Sequence, residues 1–157
     1  MVIDACPASG EDAPVIAELY RSLAAEMDSL RPLWSSAEGL RAPVPETLVD
    51  VLEGPPWWGY LGRVDGYPVG FLLARDEALL PQAGGSTVGS IRFIFTMREA
   101  REVGVGEAMM NAFEADAARR GVRLFDAHVS PGHRESKNFF ESRGFTARSI
   151  VMHRGEG

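Results

Sequence analysis

Two glycines one residue apart, Gly104 and Gly106, separate a hydrophobic run from a helical pattern in this 157-residue chain. The run "SIRFIF" is typical of a buried strand, and the apolar spacing after the glycines is typical of an amphipathic helix. The first turn of a helix carries unpaired N–H groups and a partial positive charge, and glycine lets the backbone approach an anion closely. The pattern therefore allows either a phosphate-binding turn or a plain structural turn.

Two other phosphate-binding folds do not fit this turn. A dinucleotide-binding turn needs a third glycine where this chain has Met109. Asp126 lies where that fold expects an acid, but only about fifty residues follow Gly106, too few for its second half. A P-loop would continue with Gly-Lys-Ser/Thr, and this chain does not. We therefore reject both folds for this chain.

The remaining patterns predict an α+β fold, with mixed α/β order, in a single domain over residues 1–157. Apolar residues at helical spacing predict an amphipathic helix that ends near Met27. Two apolar runs flank Asp65-Gly66, a dipeptide that favours a tight hairpin turn. The predicted element order is β-α-α-β-β-β-α-β-α-β, and its last strand covers residues 145–154. This order predicts one central mixed sheet, mostly antiparallel and flanked by helices.

Composition limits the partners and the location of the protein. The formal net charge is −6, so no stripe of basic residues is available for nucleic acid. The apolar runs are too short to span a membrane, and no secretory signal is visible at the start. The single cysteine, Cys6, fits a reducing cytoplasm. The three histidines lack ligand spacing with acids or cysteine, which predicts no metal site.

Residues 91–145 resemble the core of the GNAT superfamily of acetyl-CoA-dependent N-acyltransferases. The stretch "RFIFTMREAREVGVGEAMM" matches the family's strand and its R/Q-x-x-G-x-G/A signature, with Arg101, Gly104 and Gly106 in the signature positions. The stretch "LFDAHVSPGHRESKNFFESRGF" is similar to the next strand and the following helix of the family. The two motifs occur at the correct spacing, and the order of elements also agrees. The resemblance predicts a GNAT-like acyl-CoA N-acyltransferase fold and a phosphate-binding role for the glycine turn.

The resemblance implies where acetyl-CoA would bind as cosubstrate. The backbone of Ile94, Phe95 and Thr96 is expected to pair with the pantetheine arm as another strand would. Arg101 either contacts phosphate or is solvated. His133 and Phe140 occupy family positions beside the cosubstrate. Backbone N–H groups of six consecutive residues are expected to hold the pyrophosphate, namely Glu102, Val103, Gly104, Val105, Gly106 and Glu107.

The chain departs from the family pattern on its last helix. The family's usual general acid is a tyrosine, and that position is Phe140 here. His133 replaces the usual asparagine, and Ser136 replaces a small residue. A thiol has a pKa near 8.5, so a thiolate departs near neutral pH with little help. We expect the thiolate to leave directly or with a proton from water or Ser136.

A general base is needed more than a general acid, because an alkylammonium has a pKa near 10.4 and attacks only after losing a proton. His128 lies where some members carry a glutamate that is proposed as base, and its ordinary pKa suits that role. The alternative is a half-buried histidine that is hydrogen-bonded within the sheet. Asp126 either orients His128 or begins the strand. Glu26 and Asp28 either face the acceptor or form a solvated helix end.

The sequence thus predicts an N-acetyltransferase that acts on a primary amine of a small molecule or peptide by direct attack. The missing tyrosine keeps a second reading open, a non-catalytic acyl-CoA-binding or sensor domain. No nucleic acid or membrane partner is expected. Relatives are often dimers, so the resemblance is compatible with a homodimer. The identity of the acceptor amine cannot be derived from these motifs.

Overall fold

The computed structural model describes residues 1–155, which form one five-stranded sheet with helices on both faces. The strands are β1 (Ile3–Pro7), β2 (Trp57–Val64), β3 (Tyr67–Ala78), β4 (Thr87–Thr96) and β5 (Leu124–Ala127). The helices are α1 (Ala13–Leu30), α2 (Trp34–Ala37), α3 (Val44–Val51), α4 (Val105–Arg119) and α5 (Arg134–Ser142). Short 3₁₀ turns cover Gly10–Asp12, Pro81–Ala83 and Arg98–Ala100. This architecture confirms the predicted mixed fold.

The sheet order follows the chain order from β1 to β5. Strands β1 to β4 pair antiparallel, and β5 lies parallel to β4. The β2–β3 hairpin turns at Asp65 and Gly66, whose φ angles are 50° and 81°. These positive angles are the ones that a tight hairpin turn requires, and Asp-Gly accepts them readily. The predicted hairpin is therefore confirmed.

Two apolar clusters sandwich the sheet. Helices α1 and α3 cover one face, and α4 and α5 cover the other. The first cluster contains Ile16, Leu23, Leu48, Phe71 and Phe93 among its members. The second contains Tyr60, Ile91, Met109, Phe113 and Phe140. Alternate residues of each strand supply the two clusters because successive side chains point to opposite faces.

The prediction of a final strand over residues 145–154 is wrong for this structure. The chain after α5 is irregular through the last described residue, and Ile150, Val151 and Met152 are exposed. Phe145 packs against Phe140, and Arg148 forms an ion pair described below. A strand also needs a neighbouring edge to pair with. A hydrophobic alternation shows that a segment is able to form a strand, but it does not supply the partner.

The first half of the chain also differs in detail. Helix α1 continues to Leu30, although its buried face ends at Met27. The segment after it contains the short helix α2, whose Trp34 is 8% exposed and packs edge-on against Phe93 at a centroid distance of 6.1 Å. None of the helices within residues 1–155 is long and apolar enough to cross a membrane.

Candidate active site

Strands β4 and β5 pair for only four residues and then separate. Their parallel register runs from Val88 opposite Leu124 to Ile91 opposite Ala127. Strand β4 then continues to Thr96 beside β3, while the chain after β5 turns away toward α5. The result is a gap beside the second half of β4, whose outer edge has no partner strand after Ile91 within residues 1–155 and lies next to the segment 128–133.

A bulge in β4 lies where the gap opens. Leu73 pairs with Phe93, but the next residue of β3, Ala74, pairs with Ile91. Arg92 is therefore the extra residue of the bulge. A bulge bends its strand and increases the local twist, which helps to turn this part of β4 away from β5.

The backbone groups that β4 offers to the gap follow from the antiparallel register. The N–H of Met97 donates to the carbonyl of Val69 on β3, at 2.8 Å. Antiparallel ladders alternate, so the main-chain groups of Phe95 also face β3. Those of Ile94 and Thr96 face the gap. The prediction that Phe95 offers its backbone to a ligand is corrected accordingly, because its N–H and carbonyl already serve the β3 ladder.

The glycine turn has the geometry of an anion-binding helix start. Gly104 is the residue before α4 and has φ 102°, a left-handed angle that other residues rarely adopt. Because Gly104 has no side chain, it cannot cap the first N–H groups of α4. Glu102 is also left-handed, with φ 69°. At Gly106 a Cβ would lie 3.3 Å from Cε1 of Phe139, so this glycine lets α4 approach α5 closely.

Arg101 is bound inside the protein. Its Nε donates to the carbonyl of Thr96 at 2.9 Å, and its Nη1 donates to Glu135 on α5 at 3.2 Å. Its Nη2 donates to both carboxylate oxygens of Glu26 on α1, at 3.0 and 3.1 Å. The side chain is 20% exposed, so the alternative of a solvated arginine is wrong. Each guanidinium nitrogen of Arg101 thus has a protein partner. The main chain of the glycine turn is therefore the part of the turn that is available to a ligand.

The remaining side chains of the turn point away from the helix start or into solvent. Glu107 binds Arg143 near the end of α5, with a distance of 2.5 Å between Oε2 and Nη1. Val103 is 40% exposed. An anion at this turn would therefore meet its main chain rather than these side chains.

Helix α5 brings three of the predicted site residues to the same end of the sheet. His133 precedes the helix, and its Nε2 lies 3.9 Å from Oε2 of Glu26. Ser136 is half-buried, one helical turn before Phe140. Phe140 is 3% exposed, and its ring lies 5.2 Å from that of Phe139 and 5.1 Å from that of Phe145, between centroids. Phe140 therefore packs in the core beneath the gap.

His128 lies just beyond the last paired residue of β5. Its backbone N–H donates to the carbonyl of Ile91 at 3.0 Å, and its Nε2 lies 3.0 Å from Oγ of Ser90 on β4. Ser90 is 1% exposed, whereas the His128 residue as a whole is exposed. The Nε2 edge of the ring thus faces the protein. Partial burial of the ring, and next the charge of Arg92, lower the pKa of His128 below 6.5.

Asp126 has a different partner from the one expected. Arg148 in the C-terminal tail donates to both of its carboxylate oxygens, at 2.7 and 2.5 Å. This bidentate hydrogen bond lowers the pKa of Asp126 below its ordinary value. The prediction that Asp126 orients His128 is therefore corrected. Ser90 is the side chain that bonds the histidine ring, and Asp126 acts on it only through its charge.

The contacts of two residues in this region, Glu26 and Ser90, were not predicted. The sequence leaves two alternatives for Glu26, contact with the acceptor or a solvated helix end. Its carboxylate instead binds Arg101. The one sequence feature that points to this ion pair is the place of Glu26 beside the apolar face of α1. Ser90 was not singled out because a lone serine in an apolar strand carries no motif. Asp28 does not reach the gap, since it caps the next helix by accepting from Ser35.

A separate cavity of about 430 Å³ lies near the other end of α4. Trp58, Tyr60 and Arg120 are among its lining residues. None of the residues that line it belongs to the second half of β4, the segment 128–133 or the glycine turn.

An opened sheet, a bulged central strand and a glycine turn that starts a helix define the class of acyl-CoA N-acyltransferase folds. The chain belongs to the acetyltransferase (GNAT) family, whose model matches residues 19–145. It is accordingly an acetyltransferase by family, and members of this family use acetyl-CoA. Comparison with curated proteins gives no match.

Solved structures with the same fold span the whole chain. A GCN5-related N-acetyltransferase from Ralstonia eutropha JMP134 is 18% identical, with a TM-score of 0.76 and coverage of 99% of this chain and 100% of that chain. A ribosomal-protein-alanine N-acetyltransferase from Brucella melitensis biovar Abortus 2308 is 19% identical, with a TM-score of 0.72 and coverage of 98% and 100%. The AAC(6')-Iy complex with the bisubstrate analog CoA-S-monomethyl-acetylneamine is 17% identical, with a TM-score of 0.74 and full coverage of both chains. These likenesses establish the fold.

Proposed function

We propose that this protein transfers the acetyl group of acetyl-CoA to a primary amine of a small molecule or peptide. The observation that carries the proposal is the open edge of β4, with the backbone of Ile94 and Thr96 directed into a gap beside the start of α4. An extended chain with amide groups fits such an edge as an added strand, and a pyrophosphate fits the uncapped helix start.

The residues present suit acetyl-CoA in that gap. The N–H groups of Val105, Gly106 and Glu107 belong to the first turn of α4 and have no partner within the helix. Thr96 can donate its N–H, while its carbonyl already accepts from Arg101. When bound, acetyl-CoA supplies an activated acetyl group on a sulfur that leaves as a thiolate near neutral pH.

His128 is the side chain that we propose as general base. Its lowered pKa keeps the imidazole neutral at neutral pH, and a neutral ring can accept the proton that an ammonium group must lose. His128 lies at the opening of the gap, beside the bulge in β4. An acyl group that extends along β4 toward β5 would end at this bulge. A backbone N–H that β4 directs into the gap near the bulge, such as that of Ile94, would hold the carbonyl oxygen.

This proposal needs no tyrosine acid. Phe140 is packed among aromatic rings, so the proton for the departing thiolate comes from water or from Ser136, which is half-buried on the same helix. A thiolate of pKa near 8.5 needs little protonation to leave at neutral pH.

The names of two proteins with similar folds support an amine as the acceptor. AAC(6')-Iy was solved with a bisubstrate analog that joins CoA to an acetylated amino sugar, and the Brucella relative is named for acetylating alanine of a ribosomal protein. Both names refer to amines. We extend only the amine to this protein, and we place it in the cytoplasm, in keeping with its single cysteine.

Thermal unfolding tests the acyl-CoA site. Acetyl-CoA at one hundred times its Kd should stabilise the folded protein by about 2.7 kcal/mol, which CoA should largely reproduce and NAD should not. The absence of any shift at millimolar acetyl-CoA would contradict the proposal.

Release of CoA thiol in the presence of a panel of amines then tests the transfer. His128→Ala should lower kcat by about 10²-fold or more while leaving acetyl-CoA affinity intact. Tight binding of acetyl-CoA without transfer to any amine would favour the acyl-CoA sensor instead.

A further inference from the structure

Ser90 is a buried polar residue that the proposed mechanism does not use. It lies in the last paired part of β4, opposite Asp126 on β5 and opposite Arg75 on β3. Its side chain points to the same side of the sheet as His128, because the ring nitrogen Nε2 lies 3.0 Å from its Oγ. At 1% exposure it is as inaccessible to solvent as the neighbouring core residue Ile91.

We propose that Ser90 is a positioning residue whose Oγ accepts a hydrogen bond from Nε2–H of His128, so that Nδ1 is the nitrogen left free to take a proton. This inference deepens the proposed function and rests on His128 as its base. A neutral imidazole has one N–H and one lone pair, and the partner of one nitrogen decides which nitrogen carries the lone pair.

The opposite arrangement would disable the base. If Ser90 donated to Nε2, the only lone pair of the ring would be occupied by a buried hydroxyl, and Nδ1 would carry the proton. Such a ring could not accept a proton from an amine in the gap. Ser90 is also too buried to attack a thioester itself, since its residue is 1% exposed.

Burial of the ring, together with the charge of Arg92, favours the neutral form of His128, in which the choice of nitrogen matters. Burial and Arg92 on β4 lower the pKa of the ring, and these effects outweigh three carboxylates that raise it. Those carboxylates are Glu38 after α2, Glu77 on β3 and Asp126 on β5. Below the lowered pKa both nitrogens are protonated, and Ser90 Oγ then accepts from an imidazolium, which is the stronger of the two bonds.

The tautomer can be read directly by NMR. In full-length protein labelled with ¹⁵N-histidine, His128 is assigned by its loss from the spectrum of His128→Ala. At pH 8 we expect the long-range ¹H–¹⁵N pattern of an imidazole that is protonated on Nε2. A ring protonated on Nδ1 in the wild-type protein overturns the proposal, and this measurement needs no variant of Ser90.

The direction of a pKa change provides the second test. Ser90→Ala removes an acceptor that stabilises the imidazolium more than the neutral ring, so the pKa of His128 should fall by about 0.5 to 1 pH unit. If Ser90 instead donates to the ring, its loss releases the neutral form and the pKa rises. Ser90→Thr keeps the hydroxyl and should keep the wild-type pKa. A rise in Ser90→Ala, or an equal fall in both variants, contradicts the assignment.

Kinetics separate this inference from the proposed function. Ser90→Ala should lower kcat by about three- to tenfold, with the KM for acetyl-CoA unchanged. The acidic limb of its pH profile should move in step with the NMR pKa. If His128→Ala leaves kcat unchanged, the proposed base is wrong, whereas the tautomer measurement still decides the role of Ser90. An unchanged kcat and an unmoved acidic limb in Ser90→Ala overturn the positioning role.

Discussion

Arg101 donates hydrogen bonds from its Nη2 to both carboxylate oxygens of Glu26, and this pair joins the glycine turn to the first helix. The two side chains are 20% and 16% exposed. The arginine of the signature thus holds the turn against α1 rather than reaching into solvent. Oε1 of Glu26 also lies 3.4 Å from Nη2 of Arg98, so the carboxylate has a second, more distant basic partner.

We expect Arg101→Met to lower the free energy of unfolding by about 1 to 3 kcal/mol, because it leaves the Glu26 carboxylate partly buried with a weaker partner. The double variant Arg101→Met/Glu26→Gln should be about 1 kcal/mol more stable than the sum of the two single losses in unfolding free energy predicts. Urea unfolding of the four proteins measures this coupling. Arg21→Met is the matched control, since its pair with Glu18 is exposed and should change stability by about 0.5 kcal/mol or less.

Gly104→Ala tests the turn itself. An alanine at φ 102° is strained, so the variant should lose about 1 to 2 kcal/mol of stability and bind acetyl-CoA more weakly. Gly10→Ala is a suitable control, because a Cβ there meets nothing within 4 Å. Thermal unfolding without acetyl-CoA measures the change in stability, and unfolding with acetyl-CoA measures the change in binding. Equal effects of the two substitutions would show that the left-handed angle carries no cost.

The pH dependence of kcat should report His128. Its pKa lies below 6.5 owing to burial and Arg92, and only its neutral form accepts a proton. Activity should therefore rise with pH through that pKa, and this limb should vanish in His128→Ala. His153→Ala controls for the loss of a histidine, since His153 is exposed in the C-terminal tail. A wild-type acidic limb that survives in His128→Ala assigns it to another group.

Phe140→Tyr tests whether the protein lacks a general acid. The new hydroxyl would enter a site that is 3% exposed and packed between aromatic rings, so stability should fall by about 1 kcal/mol. Turnover should stay unchanged from pH 6 to 9, because a thiolate leaves without an acid. Steady-state rates from pH 6 to 9 measure this turnover. A large gain in kcat would show that protonation of the departing thiolate limits the wild-type enzyme.

The ion pair between Asp126 and Arg148 should make the tail sensitive to acid. The folded-state pKa of Asp126 lies below the ordinary 3.8, so the pair stabilises the fold above that value and is lost as the pH falls through the folded pKa. Arg148→Gln should therefore be less stable than wild type at pH 7. The difference should shrink below about pH 4. Arg154→Gln, in the same exposed tail, should show no such pH-dependent difference in urea unfolding.

The elements that sequence predicted well are those whose signal is local. The Asp65-Gly66 hairpin and the helix after Gly104 both follow from residues that tolerate positive φ beside a clear periodicity. The last strand was mispredicted because pairing is not local. Its residues alternate correctly, yet the described chain runs past β5 without joining it.

The candidate site divides in the same way. The position of the glycine turn and of His128 could be predicted from motif spacing. The partners of Arg101, Asp126 and His128 could not, because each lies far away in sequence and no motif marks it. The alternation that turns Phe95 away from the gap depends on the register of β4 against β3, which only the structure fixes.

The gap between β4 and the segment 128–133 also has a consequence for solubility. An open sheet usually exposes its unpaired backbone at a border strand, where a strand from another molecule can add and start aggregation. Here the groups of Ile94 and Thr96 lie on such an edge, beyond the last residue of β4 that pairs with β5 and beside the chain that leads to α5. The backbone groups that we propose for acetyl-CoA are therefore also those at which a strand of a second molecule would add, and a bound cosubstrate would cover them.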